Sequence, residues 1–92
     1  MNNYSKNELI NILESYSLSA TQANSVGNAF RHLDEFQLAE KYFLLSIELD
    51  PKYDEPYAHL ISLYAQQGKF DLCESIFQQG NKNATKKTYN TF

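Results

Sequence analysis

The chain has 92 residues, 42% of them apolar, with seven Tyr, six Phe, no Trp, three Gly and two Pro. That is one domain's length with too much apolar surface for a disordered chain and too few turn formers for a β protein. The formal net charge is −3, yet Lys82, Lys86 and Lys87 lie in a stretch without acids, so residues 1–80 hold all eleven carboxylates. Such a body repels phosphate backbones, which excludes a nucleic-acid reader. The lone Cys73 cannot form an internal disulfide, and no Cys/His cluster has the spacing of a zinc site. Met1–Asn7 is polar, and no apolar run approaches the ~18 residues of a membrane span. The expected setting is therefore the cytosol, away from membranes. Asn3-Tyr-Ser and Asn83-Ala-Thr match the glycosylation pattern, which matters only in a secreted chain.

Taken in chain order, the pattern is helical throughout. Ser5-Lys-Asn-Glu8 has the form of a capping box, and Leu9, Ile12, Leu13 and Tyr16 follow on one face. This predicts a helix over about 6–17. Ser19-Ala-Thr-Gln22 is a second capping box, opening a helix with Ala23, Val26, Gly27, Phe30 and Leu33 along one side. A third helix starts at Phe36, carries Ala39, Tyr42, Phe43, Ser46, Ile47 and Leu49, and closes at Asp50-Pro51, because proline cannot continue the ladder. Asp54 is expected to cap a fourth helix, with Glu55 at the positive end of its dipole and Pro56 in the first turn. Tyr57, Leu60, Ile61 and Tyr64 form its apolar face, and Gly68 ends it. A fifth helix runs from Phe70 to near Gly80 with Cys73, Ile76 and Phe77. Loops of two to four residues force antiparallel neighbours.

The chain also repeats itself with a period of 34. Phe36 falls on Phe70, Leu38 on Leu72, Glu40 on Glu74 and Phe43 on Phe77. The preceding helices agree in character, with Val26 against Leu60 and Phe30 against Tyr64. Neither unit alone can bury its apolar stripe, so the two are expected to stack and share a core.

The spacing of these residues resembles the tetratricopeptide repeat, a 34-residue helix–turn–helix. Residues 54–87 supply Tyr57, Leu60, Tyr64, Gly68, Phe70, Cys73 and Phe77 at the pattern's positions. Residues 20–53 supply Val26-Gly27, Phe30, Phe36, Ala39, Phe43 and Pro51. Several positions depart from it. Ala23 stands where the first unit should have its early aromatic, Ile61 where the second should have Gly, and Asp34 at a turn glycine. Ser46 and Gly80 replace a small Ala, and Thr85 stands at the closing Pro. The resemblance implies an all-α fold, a short right-handed α-solenoid of antiparallel helix pairs. It would comprise an N-terminal capping helix within 1–19, a first repeat over 20–53, and a second over 54–80 with a frayed end. A polar basic tail, 81–92, would be disordered or form a short helix over the last one, anchored by Tyr89 and Phe92.

The family's implied role is binding rather than catalysis. Helix A of each unit lines a concave groove for a partner peptide or amphipathic helix. By spacing, the groove residues are Asn24, Asn28, Arg31 and His32 from the first unit, with Glu55, His59, Ser62 and Gln66 from the second. They avoid the apolar faces, and amides suit an extended backbone because they both donate and accept. The carboxylate clamp of some family members is not expected, since Asn24 stands where it needs Lys and His59 where it needs Asn. His32 and His59 face the same groove without an evident third metal ligand, so ordinary surface histidines are expected. Cys73 fills a small-residue slot as a packed thiol. Asp50, Asp54 and Glu55 lack the spacing of a calcium loop, and no nucleophile, phosphate loop or paired carboxylates point to an enzyme or a cofactor. Two repeats leave Leu72, Ile76 and Phe77 at an open end. The tail, a second copy of the chain or a partner protein would have to cover them. Self-association through the ends, as a homodimer or building block, is thus the alternative to a groove-binding adaptor or chaperone.

Overall fold

The structure, a computed structural model, describes residues 5–85. Among them are five helices and no strand: α1 (Lys6–Glu14), α2 (Ala20–His32), α3 (Phe36–Leu49), α4 (Glu55–Gln66) and α5 (Phe70–Asn83). Both capping boxes form. Ser5 Oγ accepts from the Glu8 amide at 3.1 Å while Glu8 Oε1 accepts from the Ser5 amide at 3.0 Å. Ser19 and Gln22 make the same exchange at 3.1 and 2.9 Å. Each helix start thus satisfies two of its orphan donors locally.

The helical hairpins α2–α3 and α4–α5 copy each other turn for turn. Helix α2 ends with the Glu35 amide donating to Phe30 O at 2.9 Å and the Asp34 amide to Arg31 O at 3.0 Å. Helix α4 ends with Lys69 donating to Tyr64 O at 2.8 Å and Gly68 to Ala65 O at 3.0 Å. Both are Schellman closures, in which the residue past the cap takes the left-handed conformation. Those residues are Asp34 (φ +60) and Gly68 (φ +74). The following N-caps, Glu35 and Lys69, share backbone angles within a few degrees. Every one of these pairs is offset by the same 34 residues as the sequence repeat.

Three local expectations need correction. Helix α1 stops at Glu14, three residues short of the predicted end, where Ser15 Oγ turns back onto Ile12 O at 2.6 Å. Asp54 does not cap α4 with its side chain and already has helical backbone angles. The turn before α4 is closed instead by Asp50, whose Oδ1 accepts from the Lys52 amide and whose carbonyl accepts from the Tyr53 amide, both at 3.1 Å. Helix α5 runs past Gly80 to Asn83. Gly80 and Ala84 are buried, and the Thr85 amide donates to Lys52 O at 2.9 Å. The chain following α5 is therefore tied to the α3–α4 connector. The expectation for the remaining tail falls on 86–92, outside the described residues.

The core lies where α2, α3 and α4 meet and continues under α5. It comprises Ala23, Phe30, Ala39, Tyr42, Phe43, Tyr57, Leu60, Leu63, Tyr64 and Ile76. Burying each large apolar side chain is worth roughly 1.5–3 kcal/mol. Two polar groups inside are paired across helices. Ser46 Oγ donates to Ala20 O at 2.7 Å, and the Tyr64 hydroxyl donates to Glu40 Oε2 at 2.5 Å. Burial and then the Glu40 carboxylate push the Tyr64 phenol far up. Cys73 is half-buried, its thiol directed at Ile61 O at 3.3 Å.

At the two ends the packing thins. Helix α1 has no buried residue, and Ile10 and Leu13 only lean on the core. Two ion pairs between exposed groups tie it down, Lys6–Glu35 at 3.3 Å and Glu14–Lys41 at 3.2 Å. Each is worth at most about 1 kcal/mol. Their order along both helices sets α1 beside α3 in the same direction. At the other end Ile76 is buried and Phe77 half-buried, while Leu72 is exposed.

Candidate partner-binding groove

A buried asparagine near the start of α2 fixes how the N-terminal turns of α4 lie against it. Asn24, 4% exposed, sits between the two helices and uses its whole amide. Its Nδ2 donates to Glu55 Oε1 at 3.2 Å and to the Tyr53 hydroxyl at 3.3 Å. Its Oδ1 lies 3.1 Å from His59 Nδ1. A buried amide left unpaired would cost about 1–3 kcal/mol, so this set of bonds locks α4 against α2 at one register. The Tyr53 phenol is pushed up, first by burial and then by the Glu55 carboxylate beside it.

Further along, α2 contributes Asn28 and Arg31, both half-buried, with an Arg31 guanidinium nitrogen donating to Asn28 Oδ1 at 3.4 Å. Helix α4 contributes His59, whose ring packs on Phe43 at 5.1 Å between centroids. Phe43 in turn reaches this level because Gly27 lets its ring lie flush on α2: a Cβ there would stand 2.7 Å from the ring. The charges are ordered along the strip. Glu55 marks the start of the two helices, and Arg31 and His32 mark the end of α2. His59 lies between them. Its pKa is held below the ordinary histidine value by burial first, then by Arg31, with Glu55 opposing and His32 adding a smaller depression.

The eight residues that the spacing places in a groove therefore divide. Asn24 is not available to a partner: the sequence-based expectation put it on the polar face, but α4 covers it. Glu55 is exposed, yet one of its oxygens is committed to Asn24. Asn28, Arg31 and His59 form a half-buried cluster. His32, Ser62 and Gln66 are exposed on the same two helices, and no hydrogen bond joins them to that cluster. The pattern reading missed Tyr53, which sits in the connector outside any helical period. It also missed Phe43, read only as core, as the floor under His59.

The strip offers donors, acceptors and a guanidinium along an elongated surface. Among the described residues no three His, Cys, Asp or Glu side chains come together as metal ligands. Two clefts lie elsewhere, one of about 400 Å³ along Gly68–Leu72 and one of about 240 Å³ between α1 and α3. No helix among the described residues is long and apolar enough to cross a membrane. No protein-family model, curated protein or solved structure matches the chain.

Proposed function

We propose that the chain is a short right-handed solenoid of two tetratricopeptide-like repeats with an N-terminal helix, acting without catalysis as a protein-binding module. The partner segment, an extended peptide or an amphipathic helix, would lie along α2 and α4. One observation carries this reading: Asn28, Arg31 and His59 gather on adjacent faces of the two first helices of a duplicated hairpin. Such a half-buried polar strip on rigid elements suits recognition of a backbone with free donors and acceptors. The experiment is affinity capture from the native cell with the intact chain and with Asn28→Ala plus His59→Ala. Loss of the captured partner, with helical circular dichroism unchanged, supports the groove. Capture that survives this pair but is lost on truncation after Thr85 moves the binding surface elsewhere.

Self-association is the second reading, favoured by apolar side chains left open at both ends. Leu9 and Ile12 are exposed on α1 and Tyr16 just past its end, and Phe70 and Leu72 at the start of α5. Light scattering across concentration separates the two, since only the second gives a mass that rises with protein concentration.

A further inference from the structure

The Asn24 amide also determines which proton His59 carries. Glu55 is a carboxylate and can only accept, and it lies 3.2 Å from Asn24 Nδ2. Turning the amide over would set Oδ1 against that carboxylate, acceptor against acceptor, so Nδ2 must face Glu55. Asn24 Oδ1 then faces His59 Nδ1 at 3.1 Å, and a bond between them requires the proton on Nδ1. A neutral ring with its proton on Nδ1 keeps a lone pair on Nε2. That nitrogen makes no hydrogen bond among the described residues.

Resting on the groove reading above, we propose that Glu55 and Asn24 act as positioning residues. They hold His59 in the Nδ1–H tautomer, so that Nε2 accepts a hydrogen bond from a neutral N–H, the backbone amide of an extended partner segment. Phe43 packs on the ring and holds its plane. A neutral donor suits this level because the Arg31 guanidinium disfavours both a lysine ammonium and protonation of the ring, with the Glu55 carboxylate opposing it only in part. Protonation would convert Nε2 from acceptor to donor and end the interaction.

The first test needs no ligand. In the ¹⁵N-labelled 92-residue chain above pH 7.5, long-range ¹H–¹⁵N correlations report the tautomer of each histidine ring, with His32 as an internal control. The expected result is Nδ1–H at His59, the less populated form of a free neutral imidazole. Asn24→Ala should return the ring to Nε2–H. Glu55→Gln, a near-isosteric change at an exposed position, should raise the Nε2–H share by freeing the Asn24 amide to turn, with circular dichroism checking that the helices are unchanged. An Nε2–H ring in the unaltered chain, or a ring indifferent to Glu55→Gln, overturns the positioning chain and leaves the groove reading standing. The second test takes the tightest binder from an array of random twelve-residue peptides and methylates its backbone nitrogens one at a time. One position should lose about three- to tenfold in affinity with the unaltered chain and nothing with His59→Phe. No such position overturns the acceptor role alone. An array from which no peptide binds overturns the groove reading and the acceptor role with it.

Discussion

Asp34 and Gly68 occupy the same place in the two hairpins and share left-handed backbone, at φ +60 and +74. Only one of them is the residue type that adopts it without strain. An added Cβ at Gly68 meets nothing within 4 Å, so the difference lies in the backbone alone. Asp34→Gly is therefore expected to stabilise the chain by about 0.5–1 kcal/mol, and Gly68→Ala to destabilise it by about 1 kcal/mol. Urea unfolding followed by circular dichroism measures both, and equal effects of the same sign would refute the equivalence of the turns.

Gly27 answers to a different constraint. It sits in α2, where a Cβ would stand 2.7 and 2.8 Å from two ring carbons of Phe43, itself fully buried. A buried ring cannot swing away, so Gly27→Ala should cost about 1–3 kcal/mol despite the better helix propensity of alanine. Adding Phe43→Leu should recover part of that loss, because the shorter side chain frees the space. A double variant less stable than the sum of its two single variants would show that the contact is not the cause.

These two glycines mark how far the sequence could be read. Helix existence, the 34-residue offset and the turn at Gly68 were visible because caps, apolar periods and turn residues are local signals. The same signals failed at Asp54, which looks like a cap but already has helical backbone angles, and at α5, where Asn81 and Asn83 have weak propensity yet extend the helix. There Gly80 and Ala84 are buried, and packing overrides propensity. The unit alignment put Ile61 where the first unit has Gly27, and the structure shows the consequence. Phe43 is fully buried against its glycine, while Phe77, at the equivalent place, is only half-buried. Asn24 could not be read as internal at all. Its burial comes from the N-terminus of α4 lying over it, a long-range fact with no period in the chain.

Tyr42 offers a test of an unpaired polar group. Its ring stacks on Phe30 at 5.7 Å between centroids, with Lys41 Nζ 5.6 Å from its own centroid. Among the described residues its buried hydroxyl has no hydrogen-bond partner. Removing a buried oxygen that bonds to nothing relieves its desolvation cost and keeps the ring packing. Tyr42→Phe is expected to be neutral or to stabilise by up to about 1 kcal/mol. Tyr64→Phe, which removes a hydroxyl bonded to Glu40 and leaves that carboxylate without it, should destabilise by about 1–3 kcal/mol. The reverse ranking of the two variants in urea unfolding would contradict the hydrogen-bond assignments.

The depressed pKa of His59 gives stability a pH dependence whose sign is fixed. Burial, Arg31 and His32 disfavour the charged ring in the folded chain, and Glu55 only partly offsets them. The unfolded ring titrates near its ordinary value of about 6.5. Above that pH both states are neutral at this site and its contribution to stability is fully present. As pH falls below about 6.5 the unfolded chain takes up the proton first, so stability declines until the folded ring is protonated too. The slope should stay well below the ~1.4 kcal/mol per pH unit of one fully linked proton, because the ring is only half-buried. Unfolding free energies measured from pH 7.5 to 5 should therefore fall in the unaltered chain and flatten in His59→Gln. The exposed carboxylate of Glu8, held low by its bonds to Ser5, gives a separate loss that begins only as pH falls through the ordinary carboxylate value and continues below it. Stability that rises on acidification from pH 7 to 6 would mean that His59 gains a partner when charged, and would reverse the electrostatic order assigned to the strip.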